Sequence, residues 1–277
     1  MKVIETIYEM TRLRQQLAEP VGFVPTMGYL HEGHMSLVRQ ARAENASAVV
    51  SIFVNPSQFG PREDYKSYPR NIERDLAMLQ KEKPDAVFMP LAEEMYPPRF
   101  DSWIEVGEIA ERLEGASRPG HFRGVATVVA KLFNIVQPTR AYFGQKDAQQ
   151  LAVIKKMAAD LNMNLEVVAA PTVREPEGLA MSSRNTYLNP EERRAAVVLY
   201  QALTLAQQSW SQGEMNAERL RQEMIAIIQK EPLADIDYVS IANAETLDEL
   251  ETVNPPTLVS MAVNIGITRL IDNLVLL

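Results

Sequence analysis

The chain has 277 residues, 46% hydrophobic and 23% charged, a balance that excludes a disordered polymer and leaves room for one large domain or two ordinary ones. Its net charge of −8 excludes a general nucleic-acid-binding surface, and no apolar run reaches the roughly 20 residues that span a bilayer. Cysteine is absent, which excludes disulfides, thiolate zinc sites and a cysteine nucleophile and suits a reducing compartment.

Residues 1–20 carry Glu5, Glu9, Arg12 and Arg14 without an apolar stretch, so they do not read as a signal peptide. Residues 21–26 are short and apolar, the pattern of a buried strand. A tight turn at Met27-Gly28 follows, and then a helix opens with His31 and His34, two of only three histidines in the chain. At spacing i, i+3 they share one face of the first turn, where unpaired backbone N–H groups and the positive dipole end favour anions. Gly28 permits a backbone path that a side chain would obstruct, and Gly33 leaves room beside the helix start. The physical reading is a phosphate-binding helix start reinforced by two imidazoles. A bare pair of histidines at this spacing recurs by chance on helix surfaces. Zinc is a further alternative, disfavoured because the third histidine, His121, is remote and no cysteine exists. The strand–turn–helix setting favours phosphate.

A helix to residue 44 and a strand over 48–54 complete a βαβ unit. The turn Asn55-Pro56-Ser57-Gln58-Phe59-Gly60 follows that strand, where the amides of Asn55 and Gln58 are placed to grip a hydroxyl or carboxylate. Helix 71–83 and strand 85–89 come next. The loop Arg118-Pro119-Gly120-His121-Phe122-Arg123-Gly124 then leads into an apolar helix over 125–136. Taken alone, that loop reads as a connector with solvated arginines. Strand 140–143, helix 148–161 and strand 165–169 continue the alternation, which predicts an α/β fold: a Rossmann-like parallel sheet with helices on both faces. Gly144-Gln145-Lys146-Asp147 makes a second strand–glycine–helix junction, with Lys146 and the helix start as another anion site and Gln150 one turn on, sharing a face with Asp147. Two such junctions in one sheet are the pattern of a nucleotide site.

After Pro171 the character changes. A polar loop over 174–185 holds Met181-Ser182-Ser183-Arg184, whose hydroxyls and guanidinium suit a pyrophosphate, and a mobile loop here can close on a nucleotide. Helices over 190–212 and 216–230 and strands over 237–242, 257–263 and 268–275 predict a smaller C-terminal α+β domain. The boundary falls near 172–180, giving a nucleotide-binding domain of 1–175 and a smaller domain of 176–277 that closes over the site.

Together these segments resemble the nucleotidyltransferase superfamily that includes class I aminoacyl-tRNA synthetases, through His31-Glu32-Gly33-His34 and Met181-Ser182-Ser183-Arg184. The chain is more closely similar to the pantoate–β-alanine ligase family. The segments Pro25 to His34, Phe53 to Phe59, Arg118 to Phe122, Phe143 to Asp147, Ser182 to Asn185 and Arg269-Leu270-Ile271-Asp272-Asn273 stand in that family's order over nearly the full length. The resemblance implies ATP-dependent joining of (R)-pantoate and β-alanine through a pantoyl adenylate, releasing pyrophosphate and then AMP, in pantothenate biosynthesis. It implies an ATP site at Met27, Gly28, Tyr29, Leu30, His31, Glu32, Gly33, His34, Gly144, Gln145, Lys146, Asp147, Val173, Met181, Ser182, Ser183 and Arg184. Catalytic roles fall on His34, His31, Lys146 and Arg184, and pantoate and β-alanine on Gln58, Gln150 and Asn55. It also implies Mg²⁺ carried by the triphosphate without protein metal ligands, a homodimer and a cytoplasmic location. Arg123 receives no role. Rival readings are another nucleotidyltransferase, which would need a cationic grip on a substrate phosphate where Asn55 to Phe59 offers neutral amides, and a catalytically silent nucleotide-binding protein. An aminoacyl-tRNA synthetase lacks room for an anticodon domain and conflicts with the acidic balance.

Overall fold

Short β-branched runs, each followed by a helix that carries the chain back, leave little choice but parallel strands. The computed structural model, which describes residues 1–61 and 63–277, has this arrangement. Contacts divide the chain into two units, one of residues 1–144 with 153–170 and one of 145–152 with 171–277.

The first unit runs β1 (Lys2–Ile4), α1 (Ile7–Arg14), β2 (Val21–Thr26), α2 (Glu32–Glu44), β3 (Ser47–Ile52), α3 (Ile72–Glu82), β4 (Ala86–Phe88), α4 (Ala92–Met95), α5 (Glu114–Ser117), α6 (His121–Val136) and β5 (Arg140–Gly144). Helix α7 (Ala148–Asp160) starts in the second unit and returns to the first, which β6 (Glu166–Ala170) completes. All pairings are parallel, in the order β1-β4-β3-β2-β5-β6. The order reverses between β2 and β5, the place where open α/β sheets bind ligands. Pairing of β2 with β3 continues to Thr26 and Ile52, whereas the register of β2 with β5 stops at Phe23 and Ala141, so the two strands part toward their carboxyl ends. Val24, Leu30, Val38, Val50, Leu79 and Tyr142 form part of the core.

Two features depart from the expectation. The charged N-terminus supplies an edge strand and a helix, β1 and α1. Helix α6 begins at His121 rather than near 125, because Gly120 (φ 81°) turns the chain through the left-handed region that glycine adopts freely. Most of the supposed connector is therefore helix.

The second unit holds α8 (Pro190–Ala195), α9 (Val198–Ser211), α10 (Ala217–Ile228) and an antiparallel sheet of β7 (Ala234–Asn243), β8 (Thr257–Ile265) and β9 (Thr268–Leu276). Strand β8 lies in the middle, and Leu199, Leu203, Leu220, Met224, Val259 and Met261 join helices to sheet. The helix expected over 190–212 is broken at Ala196-Val197, where i→i−3 hydrogen bonds tighten the backbone. The polar loop after Pro171 contains a small hairpin, with Arg174 bridged to Ala180 and Met181 N–H donating to the Val173 carbonyl at 3.0 Å. Gly178 closes its turn at φ +101°, where a Cβ would meet the Tyr200 ring at 2.2 Å. Among the described residues no helix is long and apolar enough to cross a membrane.

Candidate active site

At the carboxyl end of β2 the chain must reverse within the five residues from Met27 to His31 to start α2. Thr26 Oγ1 donates to the Ser51 carbonyl at 2.7 Å and accepts from Gly28 N–H at 3.2 Å. Gly28 takes φ +81°, with Ile52 and Asp75 where a Cβ would stand, and Tyr29 follows at φ 48°. A tyrosine held there is strained unless its surroundings over-determine it. They do so here, because the Asp75 carboxylate accepts from the N–H groups of Tyr29 and Leu30, each at 2.7 Å. The Arg74 guanidinium lies over the Tyr29 ring at 5.0 Å. Asp75 is fully buried; burial raises its pKa, against which the two N–H donors pull.

This loop delivers His31 as the N-cap of α2 and His34 to its first turn, with ring centroids 4.0 Å apart. The structure thus brings the two histidines together as the spacing predicts, although His31 sits in extended backbone rather than in the turn itself. His31 N–H donates to His34 Nδ1 at 3.3 Å. A backbone N–H can only donate, so Nδ1 is the acceptor and the proton of neutral His34 sits on Nε2.

Strand β3 ends in the one-turn 3₁₀ helix Pro56–Gln58. Asn55, 1% exposed, keeps its amide inside the protein: Oδ1 accepts from Tyr96 OH at 2.7 Å and Ser57 Oγ at 2.9 Å, and Nδ2 donates to Gln58 Oε1 at 3.0 Å and the Gly124 carbonyl at 3.2 Å. The Gln58 oxygen is thereby committed, and its Nε2 points to Met27 Sδ at 3.2 Å. Met27 and Gln58, both expected at the site, are therefore neighbours. Helix α6 docks on this turn so closely that a Cβ on Gly124 would fall 2.3 Å from the Ser57 carbonyl oxygen. His121 Nδ1 lies 2.8 Å from the Gln58 carbonyl, and its Nε2 lies 3.1 Å from Arg118 Nη1. Arg118 in turn forks onto both oxygens of Glu63 at 2.7 Å. Burial first, and the Arg118 charge second, push the His121 pKa down to about 4. Burial raises the Glu63 carboxyl, but the hydrogen bonds and charge of Arg118 leave its pKa below the ordinary value.

In the second unit, Gln145–Asp147 forms a single 3₁₀ turn leading into α7. Asn273 grips it: Nδ2 donates to the carbonyls of Gln145 (3.1 Å) and Lys146 (2.8 Å), and Oδ1 accepts from Gln145 Nε2 at 3.2 Å. The Lys146 ammonium lies 3.4 Å from Asp147 Oδ1. Beside Asn273, Asp272 receives both Nη groups of Arg174, at 2.6 and 2.9 Å, and the Arg174 guanidinium covers the Tyr200 ring at 4.3 Å. Ser182 caps the 3₁₀ turn Ser183–Tyr187, accepting from Arg184 N–H at 3.3 Å, and Asn185 Nδ2 donates to the Ala180 carbonyl and to Glu175, each at 3.1 Å. Val173, Met181, Ser182, Arg184 and Gln150 are half-buried. Among the described residues no cluster of three or more His, Asp or Glu side chains is arranged to hold a metal ion.

Sequence reasoning passed over Asp75 and gave no role to His121, Arg118 or Asn273. Only Asp75 left a local signal, a carboxylate on the apolar stripe of α3 with Leu79 one turn on.

Comparison with known proteins agrees with this arrangement over the whole chain. The family model for pantoate-beta-alanine ligase matches residues 2–275. A pantothenate synthetase of Roseiflexus sp. (strain RS-1) is 62% identical over 276 residues, covering 100% of this chain and 99% of its own. The crystal structure of pantothenate synthetase from Thermus thermophilus superposes with a TM-score of 0.95 at 49% identity, covering 99% of each chain. A pantoate-beta-alanine ligase from Francisella tularensis, complexed with beta-gamma ATP and beta-alanine, superposes with a TM-score of 0.82 at 36% identity over 99% of this chain and 97% of that one. Sheet order, loop geometry and sequence thus converge, and the chain belongs to the pantoate-beta-alanine ligase family.

Proposed function

We propose that the chain joins (R)-pantoate to β-alanine in two steps driven by ATP. The pantoate carboxylate attacks the α-phosphate, forming pantoyl adenylate and releasing pyrophosphate. The amine of β-alanine then attacks the acyl carbon and AMP leaves. Such chemistry requires positioning and charge stabilisation but no protein nucleophile, which suits a chain without cysteine.

The observation that carries the reading is His34, whose Nδ1 is tied to its own helix cap so that its proton lies on Nε2. An imidazole at a helix start in that tautomer is suited to donate to a phosphate oxygen, with His31 beside it. Met27, Gly28, Tyr29, Leu30, Glu32 and Gly33 line the nucleotide. Gly144, Gln145, Lys146 and Asp147 hold ATP, with Lys146 countering charge in the transition state. Val173 meets the adenine through its backbone, and Met181, Ser182, Ser183 and Arg184 serve the phosphates. Gln58 and Gln150 take pantoate, and Asn55 serves it by orienting the Gln58 amide. Mg²⁺ travels with the triphosphate on phosphate oxygens and water, a mode that suits a chain with no clustered metal ligands among its described residues. The resemblance to the family also supports a cytoplasmic homodimer, which light scattering tests by a mass twice the 31.1 kDa of one chain.

The deciding experiment measures pyrophosphate and AMP from Mg-ATP. Pyrophosphate that depends on pantoate, with AMP and sustained turnover only after β-alanine is added, is the expected result. Absence of pantoate-dependent release would sink it. His34→Ala should lower turnover by about 100-fold or more.

A further inference from the structure

His121 is half-buried, polar and one helical turn from the Gly124 contact, yet none of the proposed chemistry uses it. Its partners fix its state. A guanidinium has no acceptor and a carbonyl has no donor. The 3.1 Å contact from Arg118 therefore makes Nε2 the acceptor, and the 2.8 Å contact to the Gln58 carbonyl places the proton on Nδ1. Arg118 is itself held by the two-pronged contact with Glu63, so three side chains in series end on one peptide group. That peptide belongs to Gln58, whose side-chain oxygen is already committed to Asn55 and whose Nε2 points toward Met27.

We propose that Glu63, Arg118 and His121 form a positioning relay that fixes the Gln58 peptide and so the orientation in which the Gln58 amide N–H meets the hydroxy-acid substrate. The relay rests on the reading of Gln58 as a pantoate ligand. It does not touch substrate; it removes the freedom of the turn Pro56–Gln58 to rock against α6. Neutral His121 suits this work, since a second ring proton would face the Arg118 cation.

The test is steady-state kinetics with pantoate and ATP varied separately, on Gln58→Ala, His121→Leu, His121→Asn and Glu63→Gln. Asparagine keeps a donor near the position of Nδ1, whereas leucine removes it. In His121→Leu the KM for pantoate should rise about tenfold with the KM for ATP within about twofold, and His121→Asn should recover most of the loss. Glu63→Gln, which alters the far end of the relay, should raise the KM for pantoate about threefold. If both His121→Leu and Glu63→Gln keep the wild-type KM while Gln58→Ala raises it, the relay falls and the pantoate reading stands. If Gln58→Ala changes nothing, both fall. Equal rises in the two KM values without recovery in His121→Asn would mark a merely structural histidine and overturn the proposal. Should His121→Leu fail to fold, a wild-type KM for pantoate in Glu63→Gln is enough to overturn it.

Discussion

The two units restrain the loops that lead into α2 and α7 with opposite chemistry. In the first, a buried carboxylate accepts: Asp75 takes the N–H groups of Tyr29 and Leu30. In the second, a neutral amide donates: Asn273 reaches the carbonyls of Gln145 and Lys146, and charge enters only one residue away, where Asp272 pairs with Arg174. The difference follows from what each loop must do. The Gly28-Tyr29 turn passes through left-handed backbone and needs a strong acceptor to hold it. The Gln145 turn begins a helix, and a clamp on its carbonyls leaves the N–H groups of that helix start unconsumed by the clamp. Charge lies directly against the loop in one unit and is set back from it in the other.

Removing the set-back charge should have the largest effect. Asp272→Ala leaves Arg174 partly buried without its carboxylate, a loss of about 3–5 kcal/mol. The chain has two tryptophans, Trp103 in the first unit and Trp210 in the second, so a Trp103→Phe background reports on the second unit alone. Thermal unfolding followed at Trp210 should fall by about 10 °C or more. A negligible shift would mean that solvent screens the pair and that the contrast between the units is one of geometry only.

Acid should act on the first unit. The His121 pKa is about 4 when folded against 6.5 ordinarily, so the unfolded chain takes up a proton that the folded one refuses between those values. Stability is complete above pH 6.5 and is lost as pH falls toward 4, by about 3 kcal/mol in all. Asp75 has the opposite sign: its raised pKa makes the folded state the better proton acceptor, so its protonation favours folding as pH falls. Urea titrations read at Trp103 in a Trp210→Phe background, with and without His121→Asn, separate the two. The acid loss should shrink in the variant; an unchanged pH slope would refute the assignment to His121.

How legible this was from the sequence depends on distance along the chain. The turn and helix start that bring His31 and His34 together were readable because Gly28, His31, Gly33 and His34 fall within seven residues that follow an apolar strand. The parallel sheet was readable because alternation of period sets it. The restraints were not. Asp75 meets partners 45 and 46 residues away, and Arg118 meets Glu63 at a separation of 55. The apolar stripe of α3 marks Asp75 as a carboxylate on a buried face, but no local pattern announces which distant backbone N–H groups it meets. Arg269 to Asn273 stood out as a motif without a role, because Asn273 acts on carbonyls that every residue possesses. The break between α8 and α9 and the start of α6 escaped for the converse reason. Both are set by a few backbone hydrogen bonds or a single glycine rather than by periodicity.

Two near-isosteric exchanges test the contrast most finely, since each swaps oxygen and nitrogen with little change in volume. Asn273→Asp turns both donors into acceptors facing the Gln145 and Lys146 carbonyls, so nothing favourable replaces what is lost. The kcat/KM for ATP should fall about 100-fold. Asp75→Asn is milder. The amide oxygen still accepts from one of the two N–H groups, and the exchange also removes a buried charge whose desolvation works against folding. The kcat/KM for ATP should fall only about tenfold, with thermal stability nearly unchanged because the lost acceptor and the relieved charge offset one another. A larger loss in Asp75→Asn than in Asn273→Asp would reverse the comparison. It would mean that the strained turn at Tyr29 requires full negative charge, and that the amide clamp of the second unit is the more tolerant of the two.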